Sequence, residues 1–358
     1  MTVEETISLK PEDLKHPKPE LVASLPTIID VLEYLSQREN AEFIKNGDGF
    51  FGSKMGNFFA VADKLYSREI KLIPQSFSTF TLMRGEAEYH KECNASYFRT
   101  GMTEDKQLVE RIKTTEFLRV IEKHPMIQIG GLGHLKIELL AVAQHYGFKT
   151  EYMDVTNNKW VAASFATCKW NKGDVYTPVE EGYGEGIGIL YVSQPTICDV
   201  FSEDIVPLGY QYYARPSKQF TWMYRMAKDS NFDQSPMFMR IVFRHDTEAS
   251  RLVFEQSGRQ HRYYPIDYVS DVARTIQEND YKVSWASVEH ARKLNLISAT
   301  DKKVKEVFAS LGVEYHENGE PMAQLDKEAV EKNIAAWFAE DGKELMSRII
   351  IPPLVYPL

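Results

Sequence analysis

The sequence predicts a mixed α+β fold, on three observations. Apolar residues recur at helical spacing in several separate stretches, while residues 188–192 (Gly-Ile-Leu-Tyr-Val) and 238–243 read as buried strands. From residue 284 onward the pattern is helical. The chain has 358 residues, 43% of them hydrophobic and 26% charged, enough apolar material for one large domain with elaborations or for two domains. That balance excludes a disordered, collagenous or disulfide-scaffold protein.

In chain order, Pro11, Pro17, Pro19 and Pro26 punctuate a first segment of about 25 residues that reads as an arm. Periodicity then begins at Ile28, Ile29, Val31, Leu32 and Leu35, which predicts a helix and sets residues 1–50 apart as arm and helix. Residues 77–84 favour a strand ending at Gly85, which puts Arg84 at a strand end. Leu108, Ile112, Leu118 and Ile121 predict a helix between a Thr103 cap and a Pro125 stop. A second helix is expected over residues 134–146, with Gly147 as its left-handed terminator. Trp160, Val161, Ser164 and Phe165 suggest a third, opened by Asp154 or Thr156. Residues 51–283 form the expected core. Residues 284–358 form a helical C-terminal subdomain, whose apolar tail at 349–354 is expected to dock on that core.

The 42 Lys+Arg against 51 Asp+Glu give a net charge of -9, which opposes non-specific attraction to nucleic acid or a membrane surface. The polar, acidic N-terminus lacks the order of a secretory signal, and no apolar run approaches the roughly 20 residues of a membrane span. A cytoplasmic protein is expected. Cys93, Cys168 and Cys198 form no close pair, which argues for reduced thiols and against a cysteine metal site. The nine histidines include no HExxH, so no metal is expected. Gly182, Gly184, Gly186 and Gly188 miss the phosphate-loop spacing and lead into a strand, and Glu180, Glu181 and Glu185 read as solvated acids.

Two stretches stand out: Phe80-Thr-Leu-Met-Arg84-Gly85, and Ala143-Gln144-His145-Tyr146-Gly147-Phe148-Lys149-Thr150, running on through Asp154-Val155-Thr156 to Ala162 and Phe165-Ala166. With Arg215 followed by Gln219-Phe220, they resemble the FRG domain family over about residues 77–225. Met83 stands where the family has phenylalanine, Lys149 and Glu151 flank Thr150 in place of Pro and Arg, and Val155 replaces a Trp.

The FRG pattern is in turn similar to the NAD-binding core of ADP-ribosyltransferases of the Arg-Ser-Glu type. The resemblance implies a central mixed or antiparallel split sheet with flanking helices, NAD as substrate, and an unknown macromolecular acceptor, protein or nucleic acid. In that reading Arg84 anchors the pyrophosphate beside Gly85, since a guanidinium offers five donors and glycine no bulk. Asp154 and Thr156 orient the nicotinamide ribose, Tyr146 offers a stacking face, and Gln144, His145, Thr150 and Phe165 shape the pocket. Gln219 takes the place beside the cleaved ribose, where an oxygen stabilises oxocarbenium charge more weakly than a Glu would; Glu203 or Glu255 are the carboxylates that could substitute.

Each residue also has a plain structural role available. Arg84 can be an ion-pair partner, Thr156 a helix cap, Tyr146 and Phe165 core residues, His145 a dipole partner, and Gln144 and Gln219 buried hydrogen-bonding groups. Two further functions stay open: a silent FRG module binding a nucleotide or protein, and a nuclease or hydrolase using His145 and Asp154 as acid and base.

Overall fold

Alternation along six short strands builds the centre of the molecule. The computed structural model describes residues 1–46, 58–62, 69–74, 81–128, 134–135, 137–171, 175–193, 204–208, 212–279, 282–317, 319–339 and 349–350. The central strands are β1 (Met83–Glu86), β2 (Tyr152–Thr156), β3 (Ile187–Ser193), β4 (Ile205–Pro207), β5 (Thr221–Arg225) and β6 (Phe238–Arg244). They form one sheet in the order β6-β3-β1-β2-β5-β4, with every neighbouring pair antiparallel. The chain is therefore α+β, and both strands expected from the sequence, at 188–192 and 238–243, lie in this sheet and pair with each other.

Because successive side chains point to opposite faces, the sheet carries two cores. On one face Val155, Tyr191, Trp222 and Val242 meet Leu14 and Leu25 from the N-terminal segment. On the other, Met83, Leu190 and Phe243 pack on the helices Ile28–Asn46 and Lys159–Thr167, while Tyr152 and Met223 pack on the helices Glu104–Ile121, Leu139–His145 and Tyr268–Glu278.

Several sequence expectations are corrected. The first 25 residues are not a free arm. They form the short helices Val3–Ile7, Pro11–Leu14 and Pro19–Ser24, with Pro at the first helical turn in two of them, where its missing N–H costs nothing. This segment covers the edge strand β6: Thr6 Oγ1 accepts from the Val242 N–H at 3.3 Å, and Arg240 Nη2 donates to the Leu9 carbonyl at 2.7 Å. The strand at Arg84 does not stop at Gly85 but runs through it to Glu86; residues 77–80 of the expected strand lie outside the described residues.

The helix expected over 134–146 begins only at Leu139, because His134–Leu135 pairs in parallel with Glu69–Ile70 in a second sheet. Its terminator is as expected, Gly147 at φ 86°. Asp154 and Thr156 lie inside β2 and cap nothing; the next helix, Lys159–Thr167, is capped by Asn158, whose Oδ1 accepts from the Trp160 and Val161 amides.

Helix Glu104–Ile121 is capped by Thr103 as expected. Its Val109 and Ile112 share a core with Val288, Val304, Val307 and Phe308 of the C-terminal helices Trp285–Lys293 and Asp301–Leu311. Buried Glu116 reinforces that contact, accepting from Ser287 Oγ and from the Met322 amide at 2.8 Å. Of the tail, Ile349–Ile350 pairs with Phe58–Phe59 in the second sheet, and residues 351–354 lie outside the described residues. No helix among the described residues is long and apolar enough to cross a membrane.

Candidate functional site

Met83 pairs with Thr156 across β1 and β2, and Arg84 pairs with Tyr191 across β1 and β3. Period-two alternation therefore places Met83, Gly85, Asp154 and Thr156 on one face, and Arg84, Glu86, Val155 and Tyr191 on the other. The residues expected to form one pocket are divided by the plane of the sheet.

Arg84 is committed on its own face. Its Nε donates to Glu86 Oε1 at 2.8 Å, its Nη2 lies 2.6 Å from the same oxygen, and its Nη1 crosses to the Asp154 backbone carbonyl at 2.8 Å. The two side chains are 13% and 15% exposed. Burial opposes the guanidinium charge, but Glu86, Cys93 and Asp154 outweigh it and hold the group above its usual range. Arg84 is thus placed as half of a buried ion pair, not at an open strand end.

Gly85 also has a packing reason. A Cβ there would stand 1.9 Å from the Ala162 carbonyl oxygen and 2.7 Å from the Ala166 nitrogen. The backbone of helix Lys159–Thr167 lies directly on the strand at this point, which is why no side chain fits.

On the opposite face a continuous polar chain runs through the remaining candidates. Gln219 Nε2 donates to the Tyr263 carbonyl at 2.8 Å, and its Oε1 accepts from His145 Nδ1 at 2.9 Å. The second ring nitrogen of His145 is 3.4 Å from Asp154 Oδ1 and 3.3 Å from Met223 Sδ. His145 is 2% exposed; burial lowers its pKa, against the opposing pull of Asp154 and Gln219, with Arg215 adding to the lowering. Burial thus disfavours protonation of the ring, whose Nδ1–H donates to Gln219. Asp154 Oδ1 receives no hydrogen bond, and the Asp154 side chain is 29% exposed.

Thr156 closes the turn behind this chain: its Oγ1 donates to the Gln219 carbonyl at 2.7 Å and accepts from the Asn158 amide at 3.0 Å. Gln144 Oε1 accepts from Thr150 Oγ1 at 2.9 Å, a bond that secures the loop between helix and β2. Tyr146 is 2% exposed, gives its hydroxyl to Asp267 Oδ2 at 2.8 Å, and lies under the Arg215 guanidinium, 5.3 Å from the ring centre. It offers no open stacking face. Phe165 does stand near Asp154's side of the sheet, edge-on to Tyr264.

The structure thus brings His145, Gln219, Asp154 and Thr156 together, sets Gln144, Thr150 and Tyr146 behind them, and leaves Arg84 across the sheet. Sequence reasoning missed Glu86, Met223 and Tyr264. Glu86 was findable, since a residue two along a strand shares its neighbour's face; the other two carry no local signal. Glu203 lies outside the described residues, and Glu255 forms an exposed ion pair with Arg259. Among the described residues no group of three or more His, Cys, Asp or Glu is placed to hold a metal ion.

Residues 80–175 match the FRG domain family model. The match covers β1, β2 and the helices Glu104–Ile121, Leu139–His145 and Lys159–Thr167, and stops before Gln219. No curated protein and no solved structure matches the chain.

Proposed function

We propose that the chain is an FRG-type module that binds a nucleoside-containing ligand, NAD being the first to test, through the carboxylate of Asp154, and that it does no chemistry through Gln219. One observation carries this reading: the Asp154 side chain is partly exposed although its Oδ1, buried against His145, receives no hydrogen bond, while Gln219 has both ends of its amide engaged and is 3% exposed. A carboxylate beside aromatic side chains suits a sugar with vicinal hydroxyls and an attached planar ring, because it accepts two hydroxyl donors and the rings supply the stacking face. The pyrophosphate of a dinucleotide finds no partner in Arg84, whose donors serve Glu86 and the Asp154 carbonyl on the other face.

A second reading, ADP-ribosyl transfer from NAD to an unknown acceptor, draws support from the same carboxylate. Asp154, held 3.4 Å from His145, is a full negative charge where Gln219 offers only a dipole, and oxocarbenium character on a ribose is stabilised by a carboxylate placed beside it. In this reading Asp154 takes the role that the sequence suggested for Gln219.

The test is calorimetric titration of NAD into the wild type and Asp154→Asn, with nicotinamide release measured on both in the presence of a cell extract as acceptor source. Binding that falls at least tenfold in the variant without release supports the silent module, and Asp154-dependent release supports the transferase. Absence of NAD binding by the wild type overturns the transferase, and NAD as the ligand of the module.

A further inference from the structure

One segment, residues 257–267, follows helix Thr247–Gln256 and bonds to Gln219 of the polar chain that leads to Asp154. It opens with Gly258, Arg259 and Gln260 at φ 62°, 54° and 70°, three left-handed residues in succession. L-residues rarely adopt that conformation in succession, because Cβ crowds the following carbonyl oxygen. What holds the segment down is a row of contacts to the site: Gln260 Nε2 to Ser164 Oγ at 2.6 Å, Gln219 Nε2 to the Tyr263 carbonyl at 2.8 Å, Arg215 Nε to the Pro265 carbonyl at 3.3 Å, and the Tyr146 hydroxyl to Asp267.

At the centre of the segment Tyr264 is inserted between two other rings. It stacks on Tyr176, centroids 4.2 Å apart and planes 27° apart, and meets Phe165 edge-on at 5.5 Å and 83°. The carbonyl of its neighbour Tyr263 accepts from Gln219, and that amide leads through His145 to Asp154; burial, then the neighbouring Tyr176 and the charge of Asp154, push the Tyr264 phenol well above the ordinary tyrosine range. A planar ring held between aromatic neighbours next to a carboxylate is the arrangement that a nucleoside's ring and ribose would adopt.

We infer that Tyr264 is an intramolecular plug that fills an aromatic slot between Tyr176 and Phe165, and that residues 258–267 are a lid that withdraws to admit a nucleoside ring in its place. The inference rests on the reading of Asp154 as a ligand contact. Withdrawal breaks the Tyr263–Gln219 bond, so it also frees the amide that holds His145 and opens the buried imidazole to solvent. The left-handed turn supplies the opposing strain, keeping closure reversible although the lid makes several bonds.

Two readouts on the same proteins separate the lid from the ligand. The first is carbethoxylation of His145 by diethyl pyrocarbonate, followed by peptide mass spectrometry. His124, fully buried and stacked on Tyr212, reports any global unfolding. The second is NAD affinity. Tyr264→Ala should raise the His145 modification rate about tenfold over wild type with His124 still unreactive, and should bind NAD at least tenfold more tightly, while Tyr264→Phe, which keeps the ring, behaves as wild type. Arg259→Gly, which relieves the strain and leaves the site untouched, should slow His145 modification. A rate that rises in Tyr264→Ala while NAD binds neither protein keeps the lid and overturns NAD as the ligand. His145 as unreactive as His124 in every variant, or NAD bound equally well with and without Tyr264, overturns the plug.

Discussion

Arg84 and Asp154 are joined by a 2.8 Å hydrogen bond, yet their side chains lie on opposite faces of one sheet. The bond uses the Asp154 backbone carbonyl, so the guanidinium supports the strand that presents the carboxylate without sharing its pocket. Arg84 is on this account a structural residue of the β1–β2 pair.

Replacing Arg84 by Ala leaves the Glu86 carboxylate, 15% exposed, without its cation. Removing one partner of a buried pair costs about 3–5 kcal/mol, whereas replacing both by apolar residues of similar volume is often close to neutral. Urea denaturation should show Arg84→Met/Glu86→Leu recovering most of the loss seen in Arg84→Ala. A double variant no more stable than the single one would disprove the pairing.

Gly85→Ala would drive a methyl group to 1.9 Å from the Ala162 carbonyl oxygen, and that atom is helix backbone, which cannot rotate aside. The expected loss is about 3 kcal/mol, at the upper end of overpacking costs. The neighbouring Met83→Leu, nearly volume-conserving, should cost less than about 1.5 kcal/mol in the same denaturation experiment.

Gln219→Glu distinguishes a buried bridge from an underpowered catalytic position. The carboxylate would still accept from His145 but would set its second oxygen against the Tyr263 carbonyl in place of a donor. The cost is about 1–3 kcal/mol for the orphaned carbonyl and the buried charge. Thermal unfolding should show this loss with no gain in nicotinamide release; increased release would reinstate residue 219 as a participant in the reaction.

The pH dependence of stability should carry a signature of His124, which is fully buried, stacked at 4.5 Å on Tyr212 and bonded through Nε2 to the Tyr268 hydroxyl at 2.7 Å. Burial lowers its pKa from 6.5 to about 4. The unfolded chain therefore binds the proton first, so His124 destabilises the fold progressively as pH falls from 6.5 toward 4. Its contribution is absent above that window and levels off below it at about 3 kcal/mol. His124→Phe should be less stable at pH 7, since the Tyr268 hydroxyl and the Met126 amide each lose a partner, but its stability should fall less steeply between pH 6.5 and 4. Parallel curves for the two proteins would count against a neutral buried His124.

Much of the fold could be read from the sequence because it depends on local pattern. Thr103 as a cap, Gly147 as a terminator, the buried runs at 188–192 and 238–243, and the C-terminal helices each follow from short-range periodicity or backbone geometry. The failures lie where a distant partner intervenes. The helix at Leu139 starts late because His134–Leu135 is taken up by a strand 65 residues earlier, and the N-terminal segment folds because an edge strand offers it the Val242 amide.

By itself, then, the sequence determined the α+β class and the helices at Glu104–Ile121, Lys159–Thr167 and in the C-terminal segment, and it singled out His145, Asp154, Thr156 and Gln219, which the structure brings together, while the helices Thr247–Gln256 and Tyr268–Glu278 went unread. It could not determine what each residue touches. Sheet register decided that Arg84 faces away from Asp154, the approach of a helix backbone decided why residue 85 is glycine, and the segment after a left-handed turn more than a hundred residues downstream of Asp154 brought the Tyr263 carbonyl onto Gln219. These are non-local relationships: alternation assigns a residue to one of two faces, and only the pairing of strands says which face its neighbours share.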